Sequence, residues 1–107
     1  MKTITKCEHE VFLAVFYLGG EDATMRNVLC RVNEEYGHTW HPQTISTFLR
    51  RLVQKGYLTM QRYGRKAYYI PEISIQEYQG QCVKDMCQIL FAGDVGAFAA
   101  CVQEIGS

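Results

Sequence analysis

Gln43, Thr44, Ser46 and Thr47 place an amide and three hydroxyls within one short stretch, and Arg50 and Arg51 follow directly. Such short polar groups bond base edges or phosphates, and an amide such as Gln43 suits a bidentate contact with adenine. Arg62, Arg65 and Lys66 come next, clustered around Gly64. Cations at a turn suit phosphate oxygens, contacts that position a protein on a duplex but carry little sequence information. Arg50 belongs with these phosphate-binding groups. Arg51 could equally form an ion pair inside the domain.

The distribution of charge supports this chemistry where the total does not. The 107-residue chain has 11 basic and 11 acidic residues, a net charge of zero. Yet no Asp or Glu lies between Tyr36 and Pro71, where Arg50, Arg51, Lys55, Arg62, Arg65 and Lys66 are found. The rest of the chain therefore carries a balance of −6. Sorting of this kind marks a polyanion-binding surface on an otherwise acidic domain.

Other chemistries find less support. There is no Gly-rich phosphate loop, no Ser-His-Asp arrangement and no carboxylate pair on an evident cleft, so catalysis is not expected. Cys82 and Cys87 are five apart, about 140° around a helix, and cannot readily share one metal ion. Cys7-Glu8-His9 is too small a cluster to specify a metal, and neither a metal nor another cofactor is expected. Five cysteines without a secretion signal do not suggest a disulfide scaffold, and free cysteines commonly serve as small core residues. Copies of Cys82, Cys87 or Cys101 meeting across a dimer leave a thiol-oxidation switch as an alternative. The longest nearly apolar run, Val11 to Gly20, is too short for a bilayer, and the N-terminus lacks a signal-peptide core. These features predict a cytoplasmic protein with no membrane insertion.

Elements that position the polar residues are legible from caps and periodicity. Thr5-Lys6-Cys7-Glu8 has capping-box form and opens a helix with Cys7, Val11, Ala14, Val15 and Leu18 inward, ended by Gly19-Gly20. Thr24 caps a second helix, with Met25, Val28, Leu29 and Val32 inward and Gly37 at its end. Pro42 begins and Gly56 ends a third, whose inner stripe is Ile45, Phe48, Leu49, Leu52 and Val53. Its other face carries Gln43, Thr47, Arg50 and Gln54, flanked by Thr44, Ser46 and Arg51. Tyr57–Arg62 and Ala67–Pro71 then read as a β-hairpin with a basic tip. Three helices and a hairpin, mainly α with little β, is the element order of a winged helix-turn-helix. Ser74-Ile75-Gln76-Glu77, a second capping box, opens a fourth helix of about 18 residues, ending near Gly93.

Residues 1–71 are thus expected to bind DNA and residues 72–107 to form C-terminal dimerisation helices. Tyr78, Cys82, Met86, Ile89 and Leu90 are the candidate dimer positions of the fourth helix. Val95, Phe98, Val102 and Ile105 make a heptad-like seam on a fifth helix, too short to stand alone. A second copy is the simplest partner.

The chain resembles the BlaI/MecI family of penicillinase repressors, which also includes the CopY copper repressors. The resemblance rests on Trp40-His41-Pro42-Gln43-Thr44-Ile45, on Arg51-Leu52 and Lys55-Gly56, on Gly64-Arg65-Lys66-Ala67-Tyr68-Tyr69, and on Leu90-Phe91-Ala92-Gly93-Asp94. It implies a homodimeric winged-helix repressor on a palindromic double-stranded DNA operator. In antibiotic-responsive members it also implies induction by a membrane sensor protease that cuts the last helix. That bond falls at Cys101–Val102, where the well-studied members have Asn-Phe. Ser46 stands where some members place Arg, so the operator sequence does not carry over from them. The chain also ends at Ser107, short of the charged tail usual in the family. The copper-responsive Cys-x-Cys pair is missing. The rival readings are a winged-helix protein-interaction module and a repressor induced by metal or thiol oxidation.

Overall fold

The computed structural model describes residues 4–106, so the expectations drawn from Met1–Thr3 and from Ser107 lie outside it. Helices α1 (Lys6–Leu18), α2 (Met25–Tyr36) and α3 (Pro42–Gln54) precede strands β1 (Leu58–Tyr63) and β2 (Lys66–Pro71), then α4 (Ile75–Phe91) and α5 (Val95–Ile105). A 3₁₀ turn, Gly20–Asp22, joins α1 to α2. The chain forms two compact units, Met1–Ile73 and Ser74–Ser107.

Local chemistry sets the helix ends of the first unit. The Glu8 N–H donates to Thr5 Oγ1 while the Thr5 N–H donates to Glu8 Oε1, closing the capping box that starts α1. Thr24 caps α2 through the Asn27 N–H, and Gly37 ends it at φ 69°, in the left-handed region that favours glycine. Pro42 occupies the first turn of α3, where its missing N–H leaves no bond unmade. Val11, Phe12, Val15, Val28, Val32, Ile45, Leu49 and Leu52 are fully buried and join the three helices in one core. Burying each such side chain contributes about 1.5–3 kcal/mol. Leu58 and Tyr57 seal it from the hairpin side, Tyr57 meeting Phe12 edge-on at 6.1 Å.

The strands pair antiparallel with Tyr63 opposite Lys66, so the turn is two residues, Gly64-Arg65, rather than four. Gly64 has φ 62°, and a positive φ at the first turn position is what a II′ hairpin requires. Thr24 bridges Tyr68, and the Tyr69 N–H donates to the Ala23 carbonyl at 3.0 Å. The start of α2 is thereby stitched to the hairpin, which the sequence did not foretell.

Two expected core positions are corrected. Met25 and Val53 are each 36% exposed. Both face clefts beside the hairpin instead of the three-helix core.

In the second unit Ser74 Oγ accepts from the Glu77 N–H, but the Glu77 carboxylate meets the Ser74 hydroxyl and does not close a capping box. α4 ends with Ala92 and Gly93 both at positive φ, and α5 starts with Asp94 capping the Ala97 N–H. The two helices are bent 101° to one another, and Phe91 and Phe98 pack edge-on across the corner at 5.6 Å. Among the described residues no single helix is long and apolar enough to cross a membrane.

Candidate nucleic-acid interface

The outer face of α3 and the hairpin carry the polar residues singled out by sequence. Gln43, Arg50 and Arg51 are exposed, and Thr44, Ser46 and Thr47 are half-buried. Thr47 Oγ1 donates to the Gln43 carbonyl at 3.0 Å, which leaves its lone pairs outward as acceptors. Among the described residues no carboxylate forms an ion pair with Arg51. Its guanidinium lies over the Phe48 ring at 5.7 Å, a cation–π contact that holds the side chain against the helix.

Arg62, Arg65 and Lys66 are exposed on the hairpin. Ser46 and Arg50 meet the hairpin across a cleft of about 370 Å³ floored by Val53, Met60 and Tyr69. Burial raises the pKa of the Tyr69 hydroxyl against the opposing pull of Arg62, so the phenol stays a neutral donor. Arg62 and Lys66 line a second cleft with Arg26, at the first turn of α2, and with Glu21 and Asp22. Arg26 was missed by the sequence reading because it lies in the acidic part of the chain. The bridge from Thr24 to Tyr68 is what brings it beside the hairpin cations.

Lys55 does not belong to this surface, although it sits in the acid-free stretch. Its Nζ donates to both Glu8 oxygens, at 2.8 and 2.9 Å. Glu8 is 1% exposed. Burial alone would raise its carboxyl, but Lys55 and the Thr5 N–H and hydroxyl outweigh it and hold the group below its ordinary value.

The approach to α3 is built with equal care. The Asn33 amide of α2 donates to the Trp40 carbonyl at 3.2 Å, and its oxygen accepts from the Trp40 N–H at 3.1 Å. The Trp40 ring stacks on His38 at 4.2 Å and contacts Phe48 at 5.1 Å. His38 Nε2 lies 2.6 Å from Glu10 Oε2, which is largely buried.

In the second unit Met86, Ile89, Leu90, Val95, Val102 and Ile105 are exposed, while Cys82 and Phe98 are half-buried. Tyr78 departs from its expected dimer role, being buried within the chain at 3% exposure. Cys101 is half-buried and Val102 exposed, both inside α5. Burial pushes the Cys82 thiol up, with Asp85 adding and a Tyr78 hydrogen bond opposing, which disfavours the reactive thiolate. Among the described residues no three His, Cys, Asp or Glu side chains converge as a metal site.

Comparison with known proteins agrees with this architecture. The sequence profile of the penicillinase repressor family matches residues 4–104. A 40-residue segment is 45% identical to the penicillinase repressor of Bacillus licheniformis, covering 37% of this chain and 31% of that repressor. The solution structure of Bacillus licheniformis BlaI, in monomeric form with the blaP half-operator, aligns with 72% of this chain and 89% of that one, at 30% identity and a TM-score of 0.57. The solution structure of the DNA-binding domain of the repressor BlaI aligns with 73% of this chain and 94% of that one, at 30% identity and a TM-score of 0.55. With its winged helix-turn-helix and a family match over nearly its whole length, the chain belongs to the BlaI/MecI family of penicillinase repressors.

Proposed function

We propose that the protein is a sequence-specific DNA-binding transcriptional repressor acting as a homodimer on a palindromic operator. The observation that carries the reading is the acid-free outer face of α3, set beside the cationic hairpin and joined to it across the Ser46–Arg50 cleft. Gln43, Thr44, Ser46 and Thr47 lie on the side of α3 that a groove-entering helix turns to base edges. Arg50, Arg51, Arg62, Arg65 and Lys66 flank them as phosphate contacts, and Arg26 joins this group. The relative solved with its half-operator shares the fold, which supports the same docking here.

The homodimer rests on a separate observation. Ile89, Leu90, Val95 and Ile105 are 63–80% exposed, an apolar surface of the kind that marks a protein contact. One winged helix reads too few base pairs to select an operator from a genome, and two copies read two half-sites. The second unit is the dimerisation region in this reading. Proteolytic relief follows from the same arrangement: a sensor protease cutting at Cys101–Val102 removes the end of α5 and with it part of the seam. An interaction module has no need of an acid-free basic face.

Selection of bound fragments from a random DNA library tests the reading. The expected result is a two-fold symmetric consensus. Recovery of unenriched sequence would refute it.

A further inference from the structure

Two carboxylates of α1 reach the end of α3 and the segment that leads into it. Glu8 grips Lys55, the C-cap of α3, with both oxygens. Glu10, two residues on, meets His38 at 2.6 Å in the segment that leads into α3. The His38 ring lies on Trp40 with an interplanar angle of 7°, and Trp40 leans on Phe48 of α3. A carboxylate and an ammonium stay ionised across the neutral range, so the first support is permanent. The second contains an imidazole, the side chain type whose charge changes there.

We propose that Glu10, His38 and Trp40 form a proton-sensitive support for the N-terminal, base-facing end of α3, so that DNA affinity follows the protonation of His38. The inference rests on the DNA-binding reading and adds a regulation to it. Protonated His38 donates a charge-assisted bond to Glu10, of a kind roughly twice as strong as a neutral one. The same proton puts a cation on the face of the Trp40 indole. When His38 is neutral an Nε2–H can still donate to the Glu10 carboxylate, but the attraction between opposite charges and the cation on the indole face are lost. The approach is then held by the Asn33 clamp and by Trp40 on Phe48, and Gln43 and Thr44 follow directly in the first turn.

Side chains of two helices face the imidazole. Glu10 reaches it from α1, and the Tyr36 ring at the end of α2 lies 6.4 Å away. Burial raises the Tyr36 hydroxyl, with Glu10 and Glu35 adding and Arg31 opposing, so that phenol is neutral across the neutral range. Arg51 reaches the cluster only over the far Phe48 ring. Glu10 is the carboxylate bonded to the imidazole.

Trp40 is the chain's single tryptophan, so its emission reports directly on the ring stacked against it. In the intact chain without DNA, Trp40 emission is expected to change with pH as the stacked imidazole gains its proton, dimmer in acid. Affinity for the selected DNA, at constant ionic strength, is expected to fall about three- to tenfold from the acid to the alkaline end. His38→Gln keeps a donor but no titration and flattens both curves. Glu10→Gln moves both midpoints to lower pH, because the imidazolium has lost its counter-charge. His41→Gln, at the exposed N-cap of α3, leaves the Trp40 curve in place. A folded His38→Gln protein that retains the wild-type pH profile of affinity overturns the proposal. If that variant does not fold, the Glu10→Gln midpoint decides, and an unmoved midpoint overturns it equally. A wild-type chain with no salt-dependent DNA binding overturns the functional reading instead, while the emission curve still judges the support itself.

Discussion

Glu8 and Lys55 stand 47 residues apart in sequence, yet two hydrogen bonds of 2.8 and 2.9 Å join them and Glu8 is almost wholly buried. The contact ties the first turn of α1 to the end of α3. Removing one partner leaves the other charge stranded, which costs about 3–5 kcal/mol. Lys55→Met is therefore expected to destabilise the first unit by that order, and Glu8→Gln with Lys55→Met to recover much of the loss. The Glu8 carboxyl is lowered in the folded state, so its stabilisation is present above the unfolded value and is lost as pH falls through the lowered one. Urea unfolding from neutral pH into acid checks both points. The wild type should weaken on that descent more steeply than the double variant.

Much of the fold is legible because its signals are local. Thr5, Thr24 and Pro42 each announce a helix start within three or four residues, and Gly64 announces the hairpin turn. Glu8 and Glu10 show the limit. Their types predict exposure, and only the arrival of Lys55 and His38 from distant elements makes burial tolerable. Met25 and Val53 fit helical stripes, but a stripe cannot tell core from cleft. Arg26 fails for the same reason: its nearness to Arg62 and Lys66 depends on the bridge between Thr24 and Tyr68.

The cationic surface should make DNA binding strongly salt-dependent. If each subunit neutralises about three to five phosphates with residues drawn from Arg50, Arg51, Arg62, Arg65, Lys66 and Arg26, the dimer's log–log salt slope is roughly −5 to −9. Titrations of labelled operator at several salt concentrations measure it. A flat response is incompatible with the proposed interface.

Positioning and reading should separate by mutation. Arg65 sits at the hairpin tip, exposed and beside Gly64, and Arg65→Ala is expected to weaken operator and random DNA about equally. Gln43 is exposed in the first turn of α3, and Gln43→Ala should relax preference at one or two base pairs per half-site, at about 1–3 kcal/mol each. Repeating the fragment selection with each variant distinguishes them. An unaltered consensus from Gln43→Ala would remove it from the reading face.

The proposed dimer seam calls for a substitution that leaves the single chain undisturbed. Phe98 is a poor choice alone, because it already packs on Phe91 at the α4–α5 corner and Phe98→Asp damages that corner too. Ile105 is 80% exposed, and Val102 one turn earlier is 51% exposed, so neither contributes much to the chain by itself. An aspartate there costs little in a monomer, but in a closed seam it buries an unpaired carboxylate at several kcal/mol per subunit. Ile105→Asp is therefore expected to keep the wild-type circular dichroism, sediment as a monomer and lose tight operator binding while keeping weak, salt-sensitive affinity for random DNA. Val102→Asp should behave alike. Truncation after Cys101 should match both, because it removes the same two side chains that a cut at Cys101–Val102 takes away. An Ile105→Asp protein that still sediments as a dimer would place the clamp elsewhere on the second unit, with the exposed Ile89 and Leu90 the next positions to test.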